Sequence, residues 1–135
     1  MKTAVSSLSL AFALGLSAPA FAQTTADADA FVAKAEKELG EYIVFASQVQ
    51  WINNTYLTDD TDAVAAKIGA QGTEMQVRLA GEAAKYQALS GLSADTKRKL
   101  DFLRGGLVLP APTTEGAATE LNNIATKLNS QYGKG

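Results

Sequence analysis

The chain contains no histidine and no cysteine among its 135 residues. The first absence removes the commonest general base and the commonest transition-metal ligand together. The second removes thiolate nucleophiles and thiolate ligands, and with them the disulfide frameworks that staple small exported scaffolds. A zinc site would have to be made of carboxylates alone, whereas such sites are built mainly from Cys and His. Basic residues are also few, 12 Lys and Arg against 14 Asp and Glu, and without a basic stripe there is no electrostatic footprint for nucleic acid. Internal repeats, low-complexity tracts and useful lengths of strand-like alternation are missing too.

Charge is absent from Ala4 to Leu16, an apolar run preceded by Lys2. The run is too short for a permanent membrane span and reads as the core of a signal peptide. Gly15 and Pro19 break its helix, and Ala20-Phe21-Ala22 places small residues where a signal peptidase needs them, so residues 1–22 are expected to be removed between Ala22 and Gln23. The expected location is secreted or periplasmic, with no permanent membrane span after cleavage. Removing 22 residues, one of them lysine, leaves 113 residues with a net charge of −3. That is one ordinary domain at most, and without disulfides its stability must come from apolar packing or from a partner.

What is present is helical periodicity. From Ala26 to about Tyr56 the apolar positions Phe31, Ala35, Leu39, Tyr42, Ala46 and Val49 recur at spacings of three and four, the mark of an amphipathic helix. Thr24 or Thr25 can cap it, and Asp27 and Asp29 complement its dipole. Ile43, Phe45 and Ile52 widen the apolar face, so this helix expects neighbours on more than one side. A second helix is expected over about Asp60 to Leu89, opened by Thr58-Asp59-Asp60-Thr61-Asp62. Its ladder is Val64, Ile68, Met75, Leu79, Tyr86 and Leu89, while Gly69, Gly72 and Gly81 leave low ridges for close approach. Ser93 caps a short third helix with Leu92, Leu100 and Leu103 inward and Lys97, Arg98 and Lys99 outward. Gly105-Gly106 stops it, and Leu107 to Pro112 is an extended connector. Thr113 or Thr114 opens a fourth helix carrying Ala117, Leu121, Ile124, Leu128 and Tyr132, which runs into Gly133-Lys134-Gly135 as an open connector. The fold class is all-α: two long helices in an antiparallel hairpin, with two shorter helices across or beside it.

Few clusters carry chemistry. Asp59, Asp60 and Asp62 lack the twelve-residue spread, the glycine and the final glutamate of a calcium loop; capping and dipole compensation account for them. Glu36, Glu38 and Glu41 lie among Lys34 and Lys37 as ordinary surface pairs. A serine nucleophile would need a neighbouring lysine as base, and no Ser-x-x-Lys occurs. The remaining cluster, Gln50-Trp51-Ile52-Asn53-Asn54-Thr55-Tyr56, crowds the only tryptophan and several amides at the end of the first helix. It reads either as a helix terminus or as an aromatic and amide surface facing a peptide channel.

Trp51-x-x-Asn54-Thr55-x-Leu57-Thr58 resembles a Trp-x-x-Asn-Thr-x-Ile-Thr stretch near the N-terminus of the angiotensin-converting enzyme family. A second match, Leu109-Pro110-Ala111 followed by a helix with Leu121-Asn122-Asn123-Ile124 and ending near Ser130-Gln131-Tyr132, is similar to a later segment of the same family. The resemblance implies a secreted zinc peptidyl-dipeptidase that removes dipeptides from the C-termini of oligopeptides, with a His-Glu-x-x-His helix and a downstream glutamate as the zinc site. It implies that residues 23–135 are a helical lid segment over the substrate channel, with Trp51, Asn54 and Thr55 the matching positions and Asn53 and Tyr56 lacking clear counterparts. It implies zinc in the full-length enzyme and raises chloride as a second ion there, with no cofactor and no catalytic residue in this chain.

Two functions are carried forward. One is the lid portion of a truncated peptidase, inactive alone, whose partner is an oligopeptide acting through the full-length enzyme. The other is a small secreted helical module that binds a protein through the same apolar faces. Packing alone predicts an exposed apolar patch on the isolated chain, because the broad faces exceed what four helices can bury among themselves.

Overall fold

The computed structural model describes residues 23–106 and 113–135; the expected signal peptide and the Leu107 to Pro112 connector lie outside them. The described residues form four helices and no strand: α1 (Thr25–Thr55), α2 (Asp59–Ala84), α3 (Ala94–Gly105) and α4 (Ala117–Lys134). The all-α expectation holds.

Three helix starts follow from capping chemistry. Thr24 begins α1: its hydroxyl accepts the Asp27 amide at 3.1 Å, and the Asp27 carboxylate accepts the Thr24 amide at 2.9 Å. Thr58 and Thr61 form the same reciprocal box at the start of α2, and the Ser93 hydroxyl accepts the Thr96 amide at 3.0 Å to open α3. Each box satisfies backbone donors that the first helical turn leaves unpaired. The fourth start departs from expectation. Neither Thr113 nor Thr114 caps α4; the chain turns through Gly116 at φ +82°, a left-handed conformation that suits glycine, and the helix begins without a side-chain cap.

Two helix ends also differ from the sequence reading. α2 stops at Ala84 rather than Leu89, because the amides of Lys85, Tyr86 and Gln87 reach back three residues instead of four. That tightened turn swings the Tyr86 ring onto Phe31, the two stacked with centroids 5.5 Å apart. At the other extreme, Gly133 and Lys134 belong to α4 rather than to an open connector. A Cβ at Gly133 would sit 3.1 Å from Leu57, and Lys134 Nζ pairs with Asp59 at 3.7 Å.

α2 is the central element: α1, α3 and α4 all pack on it, α3 also touches α1, and α4 packs on α2 alone. The α1/α2 hairpin is antiparallel, with Asn53 against Asp62 at one end and Glu38 against Arg78 towards the other. α3 advances in the same sense as α1, since Thr96 meets Asp29 and Lys99 meets Glu36. α4 runs back along α2, with Asn122 at Thr73 and Lys134 at Asp59.

The core lies where α1, α2 and α3 meet. Ala28, Phe31, Val32, Ala35, Met75, Leu79, Ala83 and Leu100 form one buried cluster, with Leu39, Tyr42, Tyr86, Leu89, Leu92 and Leu103 packed around it. Each large side chain fully buried here is worth roughly 1.5–3 kcal/mol relative to exposure. The core occupies the first half of α1 and the second half of α2, leaving the opposite end of the hairpin with little hydrocarbon beneath it.

The low ridges on α2 are used by side chains. Tyr42 lies across Gly72 and donates its hydroxyl to the Ile68 carbonyl at 2.9 Å; its partial burial raises its pKa. Gly69 receives the Asn122 amide, and Gly81 faces open space.

α4 is the largest correction. Only the start of its expected apolar ladder is covered: Ala117 and Leu121 are half-buried, whereas Ile124 and Leu128 are exposed, and Tyr132 is 92 % exposed. Ala118, Asn122, Thr126 and Ser130 lie inward instead, spaced four apart. α2 explains the inversion, because opposite α4 it presents Gly69 and Thr73 rather than a leucine ridge. Asn122 fits there, donating to Thr73 Oγ1 at 2.9 Å and to the Ala118 carbonyl at 2.8 Å. Val64, expected in the α2 ladder, is likewise half exposed, at the edge of an open notch shared with Val49 and Ile52.

Candidate functional site

From Tyr42 to Thr58 the sequence has no charged residue, and most of this stretch is the second half of α1. Tyr42, Ala46, Val49 and Asn53 continue the inward face towards α2. The other positions are left to solvent: Ile43, Val44, Phe45, Trp51, Ile52 and Tyr56 are all more than half exposed. The apolar surface anticipated from packing is therefore present, concentrated on this half of α1.

Trp51, Asn54 and Thr55 stand together on the outward side of its last turn. Trp51 is 71 % exposed. The Asn54 carbonyl oxygen accepts the Gln50 side-chain amide at 2.9 Å, which leaves the Asn54 amide donors free of protein partners among the described residues. Thr55 donates its hydroxyl back to the Trp51 carbonyl at 2.8 Å, a local bond that fixes its rotamer and satisfies a carbonyl at the helix end. The cluster therefore offers an exposed aromatic face beside amide donors and acceptors.

Asn53, their neighbour, points the other way. It is 5 % exposed and donates to the Asp62 carboxylate at 2.7 Å. Ser130 of α4 brings its hydroxyl to the same carboxylate, buried and short of a well-formed hydrogen bond. Ser130 first, then Asn53, holds the Asp62 carboxyl below the ordinary carboxylate range, with a smaller contribution from Lys134. Three helices thus meet at one carboxylate, and this node orients the end of α1 that carries Trp51. Sequence reasoning treated Asp62 as dipole compensation and missed the node. Its one visible signal was that Asn53 continues the inward series of Ala46 and Val49.

The remaining charged clusters are structural. Lys37 and Glu41 pair along α1 at 3.9 Å as expected. Glu36 and Glu38 instead reach across to other helices, to Lys99 at 2.9 Å and to Arg78. Lys99, expected outward, lies between Glu36 and Asp95, which raise its pKa. Among the described residues no three acidic side chains gather into a group able to hold a metal ion. With His and Cys also missing from the sequence, the residues present do not fit a zinc site.

The sequence pattern of peptidase family M2, angiotensin-converting enzyme, matches residues 22–135. The chain belongs to the angiotensin-converting enzyme family. No curated protein and no solved structure matches it. The family is one of zinc metallopeptidases, and the match covers both stretches that carried the resemblance, Trp51 to Thr58 on α1 and its connection to α2, and Leu109 to Tyr132. The first of these families of positions is described above; Leu109 to Ala111 lie outside the described residues. No helix among the described residues is long and apolar enough to cross a membrane.

Proposed function

We propose that this chain is the channel-covering N-terminal portion of an exported zinc peptidyl-dipeptidase, and that Trp51, Asn54 and Thr55 face the oligopeptide substrate. The catalytic zinc and its ligands belong to polypeptide outside these 135 residues. The observation that carries this reading is the pairing of family membership over residues 22–135 with a chain that has no His or Cys to bind the family's metal. The uncharged outward half of α1 supports it, since an apolar and amide-bearing helix face of this kind is normally covered.

In such an enzyme the chain's contribution is exclusion and orientation. A helical cover restricts entry to small flexible peptides, the indole supplies broad contact at little entropic cost, and the Asn54 amide is positioned to bond a peptide backbone. Sequencing the gene beyond the Gly135 codon tests the reading: an in-frame His-Glu-x-x-His is expected, and a stop codon followed by unrelated sequence would overturn it. In the full-length enzyme, Trp51→Ala should raise KM for oligopeptides while leaving zinc content unchanged.

A further inference from the structure

The first residue after the expected cleavage is a glutamine, and we infer that the exported chain closes this residue, Gln23, into an N-terminal pyroglutamate. The inference rests on the export part of the function proposed above and on none of its peptidase part. Ala20-Phe21-Ala22 sets the scissile bond immediately before Gln23, and hydrolysis there frees the Gln23 α-amine. A glutamine in that position carries its own electrophile. Its side-chain carbonyl carbon, Cδ, is placed so that attack by the α-nitrogen closes a pyrrolidone ring, with both reacting groups held on one residue. The α-amine titrates at roughly pH 8, which leaves a share of it neutral and nucleophilic at neutral pH. The bond between the α-nitrogen and Cδ forms, and the bond between Cδ and Nε2 breaks. One α-amine proton passes to the departing nitrogen, which leaves as ammonia. Carbon keeps its oxidation level, and no co-reactant is consumed.

The fold presents Gln23 for this reaction and keeps the start of α1 intact afterwards. Gln23 is exposed and stands directly ahead of Thr24, the cap of α1, so ring closure displaces no core contact. The Thr24 amide donates to the Asp27 carboxylate at 2.9 Å, and the Thr24 hydroxyl accepts the Asp27 amide at 3.1 Å. Closure uses only atoms of Gln23, and the Thr24 amide keeps its partner. Charge favours the product. An α-ammonium on Gln23 would stand at the positive end of the α1 dipole, where the Asp27 carboxylate is already engaged by the Thr24 amide and hydroxyl; the lactam is neutral. Closure also guards the cap. An aminopeptidase holds the free α-amine of its substrate, and removal of Gln23 and then Thr24 would strip α1 of the hydroxyl that caps it. The lactam offers no such amine.

Intact-mass spectrometry of the chain, expressed with its own N-terminal segment in a bacterium and recovered after export, is the test. The expected mass is that of residues 23–135 less one ammonia, with fragmentation placing the loss on Gln23. The closed fraction should rise with time at neutral pH, and an added aminopeptidase should leave the closed chain whole. Gln23→Ala, a change at an exposed position ahead of the helix, should be cleaved at the same bond, keep its full mass and be trimmed by the same aminopeptidase. A chain that begins at Gln23 and still carries an open amine after days at neutral pH would overturn the inference. So would cleavage at another bond, retention of residues 1–22, or an ammonia loss placed on a different residue. The outcomes separate the two readings: retention of residues 1–22 also removes the cleaved, exported form from the proposed function, whereas cleavage that leaves Gln23 open refutes the pyroglutamate alone.

Discussion

Adding one methyl group to α2 should have opposite effects at two glycines, Gly72 and Gly81, that differ in environment but not in helical propensity. At an ordinary interior position Gly→Ala favours a helix by about 1 kcal/mol. Gly81 is such a position, with nothing within 4 Å of the new Cβ, and Gly81→Ala should stabilise the chain by roughly that amount. At Gly72 the same methyl would lie 2.2 Å from Tyr42 Oη and 2.6 Å from its Cζ, so the ring must leave. Its departure forfeits the hydrogen bond to the Ile68 carbonyl, a net loss of about 1 kcal/mol. Overpacking adds about 1–3 kcal/mol. Against the propensity gain, Gly72→Ala should destabilise by roughly 1–3 kcal/mol, some 2–4 kcal/mol apart from Gly81→Ala. Urea unfolding followed by circular dichroism resolves a gap of that size. On a Tyr42→Phe background the Gly72→Ala penalty should shrink, because the closest clashing atom is gone. Equal stabilisation by both alanines would show that Tyr42 does not cross α2 at Gly72, and the register of the α1/α2 hairpin would have to be redrawn.

Leu79→Ala removes a side chain 2 % exposed at the centre of the core and should cost about 2–5 kcal/mol in the same unfolding assay. Acid should destabilise the chain in a defined sense. Asp27, Asp62 and Asp95 all have pKa values depressed in the fold, by Thr24, by Ser130 and Asn53, and by Arg98 and Lys99 respectively. Their stabilisation is fully present above the unfolded carboxylate pKa near 4 and is lost as pH falls through the lower folded values; Tm measured from pH 6 to pH 2 should drop below pH 4, and less steeply in Asp62→Asn. Lys99 behaves conversely, its contribution present below the unfolded lysine pKa and lost as pH rises through its raised folded value. The chain supplied with zinc should release no dipeptide from an oligopeptide, a result checked by mass spectrometry of the digest.

The sequence was most legible where local chemistry and burial agree. Thr24, Thr58 and Ser93 announced three helix starts because a capping hydroxyl acts within three residues, and the Phe31 to Val49 series marked the inward face of α1 because hydrocarbon decided it. α4 was misread for the opposite reason. Its spacing of Leu121, Ile124 and Leu128 is a regular apolar stripe, and nothing local tells that the surface waiting for it on α2 is Gly69 and Thr73. The early end of α2 was hidden too, since Tyr86 and Leu89 keep their place in the core after the backbone has left the helix. At the candidate site, Trp51, Asn54 and Thr55 were found as a cluster by composition. The node that orients them was not, because Asn53, Asp62 and Ser130 are brought together only by three helices meeting.

α4 is attached to α2 largely by small residues, amides and hydroxyls, while its larger side chains Ile124, Leu128 and Tyr132 already lie in water. Lifting it off would uncover Ala118 and part of Leu121 rather than the large side chains of the core, so that opening should carry a smaller heat-capacity change and a shallower dependence on denaturant than loss of the core. The helix would peel as a separate unit ahead of global unfolding, and hydrogen exchange should find its amides the first to go. The chain thus has two seams of different chemistry: one between α1, α2 and α3 that weakens on cooling, as apolar contacts do, and one under α4, richer in hydrogen bonds, that cold loosens less for that reason.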